Sequence, residues 1–543
     1  MSRQGIQRSF GRRIAVALAS CLGLLALLPA WAAADEIEWM YDPDAVVEIH
    51  LGGLSEAELD ELELAPDEYV KGTFELMVDG VPKGPLLEDV GIRLKGGAGS
   101  GRPVKTGKSG FKVRFDEFVD DQFFFGIKRL TLNNMIQDPS MVHETLTYEI
   151  FHALGLPASR TGYAFVTLND DDYGLFLNLE TLDEVSLPQW FGEDNTQHLY
   201  EADAPGTDLE PGGAGAFEVD EGDDEDISDL QALIEVVSDE EGDWSENVSP
   251  FADLEQMTRA WAVERYAGHW DGYAGLPNPV DPNTRPNNYY LHSDEAGIFQ
   301  MMPWGTDQTW EVGDIEFDEP AGGIMFNKCL ADASCKQLYL EGLADVHCVA
   351  PGLEQVRHAK RLAKMLAPYQ AKEDEGRRET SEEEIVEGVE LVEGMAALRP
   401  EQLEEYLTAE GVPDPCPQSP AEGPSGSDSS PPPGPTTIID GGPHLRLILS
   451  RLRGAFVTTR VEVPDGGTVT QRITTRIEGQ RRRLCTGQSE RNAAGRLAVR
   501  CRLPKWALGR LEDGPLGLKG RIRFVSDSGK PLLAFFALSV PRR

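Results

Sequence analysis

An aspartate in a tryptophan–glycine loop, an asparagine pair opening a hairpin and a second aspartate just after it could together do chemistry. They are Asp271 in "HWDGYAGLP", Asn288 in "PNNYYLHSDEAGIFQMMPW" and Asp307 in "PWGTDQTW". Residues 287–304 read as a hairpin, with strands 288–292 and 298–304 around the turn "SDEAG". The start of a hairpin's first strand lies beside the end of its second. Asn287 and Asn288 are therefore neighbours of the turn that carries Asp307. Asparagine and aspartate oxygens suit hard cations such as Mg²⁺ or Mn²⁺. Asp271 then supplies the acceptor that orients an attacking hydroxyl, an order of parts that phosphoryl transfer uses. Taken singly, each residue is an ordinary turn-capping type; the order and the hairpin set them apart.

Such chemistry also needs a phosphate cradle and a cation. "GIRLKGGAGSGRPVKTGKSGFKVRF" (91–115) offers a Gly/Ser-rich turn between two strands, with Lys95, Lys105, Lys108 and Lys112. Backbone N–H groups in such a turn can hold phosphate oxygens, and a lysine adds point charge. The spacing does not match a Walker loop. An amphipathic helix follows over 139–155, with Val142, Leu146, Ile150 and Leu154 on one stripe and Gly155 ending it. Its Glu144 is placed to hold a strand lysine.

The elements that must position these groups sit in a chain of 543 residues, long enough for two or three domains. Arg3, Arg8, Arg12 and Arg13 precede the apolar run "IAVALASCLGLLALLPAWAAA", which ends in an A-x-A-like site before Asp35. This predicts an export leader over 1–34 and no transmembrane helix after its removal. Location is then the periplasm, cell surface or extracellular space. "LASC" allows lipidation at Cys21 as the alternative. Six further cysteines remain: Cys329, Cys335, Cys348, Cys416, Cys485 and Cys501. An even count in an exported chain suggests disulfides, with fifteen possible pairings. Proximity favours Cys329–Cys335 and Cys485–Cys501, leaving Cys348–Cys416.

The net charge of −42 is uneven: residues 35–443 carry −60 and residues 444–543 carry +14. The acidic body repels nucleic acid and anionic membrane, and favours basic partners. Strand-like runs with turns fill 45–170. The acidic stretch 218–229 reads as a solvated loop, with calcium binding the lesser option. Two helical runs then end in "LEQMTRAWAVERYAGHW", and residues 352–409 read as helical. A Pro/Gly/Ser linker covers 417–443. Short strands with turn signals over 444–543 read as a small, basic β-sandwich.

"VGIRLKGGAGSGR", "GKSGFKVRFDEF", the stretch from "FGIKRLTLNN" to "LNLETLD" and "PNNYYLHSDEAGIFQMMPWGTDQTW" together resemble the CotH family of spore-coat-protein-H-type kinases. The resemblance covers roughly residues 40–410, with its motifs in family order. It implies an α+β fold, an atypical protein-kinase-like two-lobed domain over 35–416, ahead of the C-terminal sandwich. It also implies ATP- and Mg²⁺-dependent phosphorylation of protein serine or threonine. Carried over, Lys95, Gly96 and Gly97 belong to the phosphate-covering turn. Lys112, or else Lys108, becomes the nucleotide lysine, with Glu144 its partner and Glu180 near the nucleotide hinge. Asp271 becomes the catalytic aspartate, Asn288 and Asp307 the metal ligands. Gly305 stands where many members carry a further acid, Gly97 where an asparagine is frequent, and His143 where an arginine is. If Asp307 is the ligand, an acid restored at Gly305 is expected to be nearly silent. The expected partner is a Ser/Thr-rich, basic protein substrate and not nucleic acid. The competing functions are a catalytically silent surface-binding protein and a secreted acidic calcium binder.

Overall fold

The computed structural model describes residues 37–275 (save 98, 193–194, 203 and 205), 286–412 (save 312–315), 416, and 446–540 apart from residues in the connections between its strands. The expected leader over 1–34 and the expected linker over 417–443 lie outside the described residues.

Strands Val46–Gly52 (β1), Val70–Val78 (β2), Val81–Pro82 (β3), Leu87–Lys95 (β4), Gly110–Arg114 (β5), Arg129–Asn133 (β6), Thr161–Leu168 (β7) and Asp171–Leu179 (β8) form one sheet. Its order is β1-β7-β8-β6-β5-β4-β2-β3, and an added β1–β2 pairing closes it into a barrel. Side chains alternate along each strand. Ile92, Phe111, Val113, Leu130, Leu132 and Phe176 point inward and fill the barrel with Phe74 and Val166. The outward rows divide into two kinds. On β7 and β8 they are Tyr163, Phe165, Leu175, Leu177 and Leu179, which join a second apolar core. On β4, β5 and β6 they are Arg93, Lys95, Lys112, Arg114, Arg129, Thr131 and Asn133. Burying an apolar side chain is worth roughly 1.5–3 kcal/mol, so the apolar wall must be covered by helices. The polar wall is left to face a site.

Helix Glu56–Leu64 (α1) joins β1 to β2 and is started by a Ser55–Glu58 capping box. Helix His143–Ala153 (α2) lies between β6 and β7, and its Leu146 and Ile150 enter the second core. It begins four residues later than the 139–155 pattern suggests. Met141 adopts φ 62°, which no helix continues, and the Asp138 carboxylate accepts from the His143 N–H at 2.8 Å.

The short helix Pro188–Phe191 (α3) leads to a four-stranded sheet of His198–Glu201 (β9), Glu218–Glu221 (β10), Tyr289–Ser293 (β11) and Phe299–Pro303 (β12), in the order β10-β9-β11-β12. β11 and β12 form the expected hairpin, with Tyr289 opposite Pro303. The acidic stretch is not wholly a loop, because its first residues form β10 and pair Glu218 with Glu201. Helices Ser228–Ser238 (α4), Trp244–Val248 (α5) and Leu254–Ala267 (α6) follow, then Ile324–Ala331 (α7), Ala333–Val349 (α8), Gln355–Gln370 (α9) and Glu382–Ala409 (α10). The 352–409 region is thus two helices with a connector at 371–381, a break its helical composition hides. α6 runs through the second core with Trp261 and Tyr266 fully buried, and Gly268 ends it at φ 68°.

Residues 446–540 form a three-stranded and a four-stranded antiparallel sheet, in the orders β13-β14-β17 and β16-β15-β18-β19. Here β13 is Arg446–Arg453, β14 Phe456–Val463, β15 Gly467–Ile477, β16 Gln480–Arg491, β17 Gly495–Arg502, β18 Leu516–Ser526 and β19 Pro531–Val540. Val457, Ile473, Leu484, Cys501 and Leu518 bring both sheets into one apolar cluster. The disulfides are Cys329–Cys335, Cys348–Cys416 and Cys485–Cys501, the set that proximity favours. Among the described residues no helix is long and apolar enough to cross a membrane.

Candidate functional site

The β11–β12 hairpin sets Asn288 beside the 304–307 turn, and the loop after α6 brings Asp271 to it. Asn288 sits one residue before β11 at φ 53°, a left-handed conformation that asparagine tolerates better than most residues. Its carbonyl accepts from the Trp304 N–H at 3.0 Å, which fixes it beside the 304–307 turn. Its Nδ2 donates to Asp271 Oδ2 at 2.9 Å and to the Asp271 carbonyl at 3.2 Å. Asn287 Nδ2 adds a bond to the same carboxylate at 3.3 Å. With its amide nitrogen committed, Asn288 turns Oδ1 toward Gly305. A Cβ on Gly305, itself at φ 50°, would lie 2.8 Å from that oxygen. An acid at position 305 would therefore press on Asn288, against the expectation that it is silent.

Asp271 lies on a loop folded back against the end of α6. Glu264 Oε2 accepts from the Ala274 N–H at 2.7 Å, and Glu264 Oε1 lies 3.6 Å from Nδ1 of the buried His269. Gly272 packs so tightly on the His269 ring that a Cβ would overlap it. Burial raises the Asp271 carboxyl above the usual range, while His269 and the two asparagines pull it back. Burial alone would lower His269, but Glu264, and behind it Asp271 and Asp307, raise it.

Asp307 is held from α2 and α6. His143 Nδ1 donates to the Asp307 carbonyl at 2.6 Å, and Trp310 Nε1 donates to Thr147 Oγ1 at 2.9 Å. The Trp310 N–H meets the Ala267 carbonyl at 2.8 Å. Burial and repulsion from Asp138 push the Asp307 carboxyl up to about 6, against the pull of Lys95, His269 and His143. Burial, then repulsion from Asp307, pushes Glu144 up to about 8. Lys95 is lowered by burial and drawn back by Glu144 and Asp307. Lys95, Glu144 and Asp307 are thus one electrostatic cluster.

The register explains why Lys95 and not Lys112 faces Glu144. Asn133, on the end of β6, donates to Glu144 Oε2 at 2.6 Å. Lys95 pairs with Gly110, and the β5–β6 register carries that row on to Asn133. Gly110 puts no side chain between Lys95 and Asn133, and a Cβ there would press on the Lys95 carbonyl at 2.9 Å and the Leu132 carbonyl at 3.1 Å. Lys112 lies two residues further along, opposite Arg93 and Thr131, and acts on Asp220 instead. Lys108 is turned away from the cluster into a pair with Glu373 at 2.6 Å, both side chains only 3% exposed. Glu180 gives its carboxylate to Arg160, at 2.6 Å from Nη2, and to Gln189 at 3.2 Å, on the wall of a separate cavity with Tyr41 and Asp183. Gly96 (φ 147°) and Gly97 form a turn beyond Lys95. There the Gly97 N–H reaches Ser100 Oγ at 3.2 Å, and Asn134 Nδ2 ties the Ser100 carbonyl to the end of β6 at 2.9 Å.

Sequence reasoning passed over His269, Glu264, Asn133 and Asp138. The "HWD" spacing and the "LNN" end of β6 were the available signals. It read Glu218 and Asp220 only as part of the acidic 218–229 stretch, with calcium the lesser option, and passed over Glu201; the three place carboxylate oxygens within 4.8 Å of one another, and Glu201 acts on Lys95. The donor set suits a hard divalent cation, since Asn288's bonds to Asp271 leave its amide oxygen free to act as a donor and the Asp307 carboxylate lies at the same turn.

The family model described as CotH kinase protein matches residues 92–394. Over 207 residues the chain is 26% identical to inner spore coat protein H of Bacillus subtilis (strain 168), a stretch that makes up 36% of this chain and 53% of that protein. The chain thus matches about half the length of that relative. The region matched by the family model takes in Lys95, Glu144, Asp271, Asn288 and Asp307 and more than half of the chain, which therefore belongs to the CotH kinase protein family.

Proposed function

We propose that the chain is an exported, atypical two-lobed protein kinase that transfers the γ-phosphoryl group of ATP to serine or threonine hydroxyls of protein. The observation that carries this reading is the bonding of Asn288 to Asp271 beside the turn of Asp307, with Lys95 and Glu144 grouped at the same turn. Asn288 and Asp307 would hold Mg²⁺ or Mn²⁺, which supplies charge neutralisation for the transferring phosphate. The chain's own groups do the rest. Asp271, oriented by Asn287 and Asn288, accepts the proton of the incoming hydroxyl. Lys95 brings positive charge to the phosphates and is itself positioned by Glu144. His143 holds the Asp307 backbone so that its carboxylate stays at the turn. The −60 body selects basic protein segments as substrate, and the spore-coat relative favours a surface or coat location.

Incubation of the chain with labelled ATP and Mg²⁺ or Mn²⁺ tests the reading. Autophosphorylation, or transfer to a basic Ser/Thr-rich peptide, is the expected result. Absence of both transfer and a metal-dependent nucleotide shift would leave the silent binding protein, which the loss of an acid at Gly305 favours.

Two further results are expected. Gly110→Val should place a branched side chain between Lys95 and Asn133 and disturb the field between Lys95 and Glu144, raising the KM for ATP roughly tenfold, about 1.4 kcal/mol. An unchanged KM would show that the row does not set the lysine. Truncation from Ser425 onward should leave nucleotide affinity unchanged, because the Pro/Gly/Ser linker isolates the basic C-terminal region. Loss of the metal–nucleotide thermal shift in that truncation would place the boundary elsewhere.

A further inference from the structure

The connector between α9 and α10, "AKEDEGRRETS" (371–381), grips the loop that runs from Lys95 to β5. Glu373 Oε1 accepts from Lys108 Nζ at 2.6 Å and from the Leu175 N–H on β8 at 2.8 Å. Gly174, at φ 144°, leaves room for this pair, since a Cβ would sit 3.0 Å from both Glu373 Oε1 and Lys108 Cε. Arg377 donates to three loop carbonyls: Val104 at 3.0 Å, Gly107 at 2.7 Å and Lys105 at 3.1 Å. Its guanidinium also lies 4.5 Å over the Tyr173 ring. Glu379 Oε1 holds Arg102 Nε at 2.5 Å, and Arg102 Nη1 donates to the Gly99 and Gly101 carbonyls, each at 2.9 Å.

The Arg377 bonds and both Arg102 Nη1 bonds take carbonyl oxygens of the loop. In a trans peptide the C=O and the following N–H point in opposite directions. Tying the Gly99 and Gly101 carbonyls to Arg102 therefore turns the N–H groups of Ser100 and Arg102 to the other side. A glycine-rich loop can offer amides to phosphate only if its carbonyls are held away from it.

We infer that the 371–381 connector is a positioning strap for the glycine-rich loop, with Arg377 its anchor and the Arg102–Glu379 pair its adjustable end. Arg102, Arg377 and Glu379 are positioning residues: they set affinity for the nucleotide's phosphates without touching them. The inference rests on the kinase reading and deepens it.

Arg102 and Glu379 are 30% and 31% exposed, so they can be changed without opening the core. Arg377 and the Lys108–Glu373 pair cannot be changed so safely. In the full chain Arg102→Ala should raise the KM for ATP about tenfold, as expected for one lost charge-assisted contact, and leave kcat and the KM for the peptide substrate unchanged. Glu379→Ala should raise it less, and Glu379→Gln, which keeps an acceptor for Nε, should restore most of the loss. The double variant Arg102→Ala/Glu379→Ala should be no worse than Arg102→Ala, because Glu379's bond to the loop runs through Arg102. Amide exchange over 99–107 should quicken in Glu379→Ala without nucleotide present. An unchanged KM for ATP, additive losses, or a fall in kcat alone would overturn the strap. A wild-type chain that binds no metal–nucleotide would sink the kinase reading and the strap with it; one that binds normally beside an equally competent Arg102→Ala sinks the strap alone.

Discussion

Asp271→Asn is expected to keep metal–nucleotide binding and to lower phosphoryl transfer by about 10²–10⁴-fold, the usual contribution of a positioned proton acceptor. An asparagine can still offer one oxygen to Asn288 and Asn287, which now bond Asp271 at 2.9 and 3.3 Å. The site should therefore keep its shape. What it loses is the group that takes the hydroxyl proton. Burial already raises Asp271 above an ordinary carboxylate, which makes it a stronger base and moves the acid limb of the pH–rate profile upward. Single-turnover labelling beside a thermal shift with Mg-ATP separates the two effects. Labelling at the wild-type rate would remove Asp271 from the reaction.

The placement of Asn288 beside the 304–307 turn was legible because it is local. Hairpin pairing puts Asn288 beside Trp304 whatever surrounds it, and short spacing favours Cys329–Cys335 and Cys485–Cys501. The choice among Lys95, Lys108 and Lys112 was not legible. All three flank one glycine-rich loop, and only the register through Gly110 and Asn133 shows which faces Glu144. Lys108 reads like a nucleotide lysine by its neighbours, yet its partner Glu373 lies 265 residues away, in a connector that composition disguises as helix. Similarly, β10 is an edge strand built from residues whose charge says loop; its pairing with β9 outweighs the low strand propensity of glutamate and aspartate. Long-range partners decided each of these cases, and a single sequence does not print them.

Asp307→Asn is expected to weaken metal–nucleotide binding by at least about 100-fold, more than loss of an outer-shell group costs, while making the nucleotide-free chain more stable at neutral pH. The two effects share one cause. Burial and repulsion from Asp138 raise Asp307 from 3.8 to about 6, and Asp307 in turn helps drive Glu144 from 4.5 to about 8. A carboxyl raised on folding binds its proton more tightly in the native state. Its contribution to stability is therefore full below the unfolded value and is lost as pH rises through the folded value. On this account the nucleotide-free wild type loses stability from about pH 4 to about pH 8, and Asp307→Asn removes its own share of that loss. The gain should shrink as pH falls toward 4 and both chains carry neutral groups. With ligand at about 100 times its Kd, binding adds about 2.7 kcal/mol to the wild type, so Mg-ATP should stabilise the wild type far more than the variant. Gly305→Asp gives the complementary result. A side chain there crowds Asn288 Oδ1 at 2.8 Å from a backbone at φ 50°, so it should weaken nucleotide binding without removing it. A Gly305→Asp chain that instead gains labelling from an inactive parent would assign the metal to position 305 and make the natural chain a silent binder.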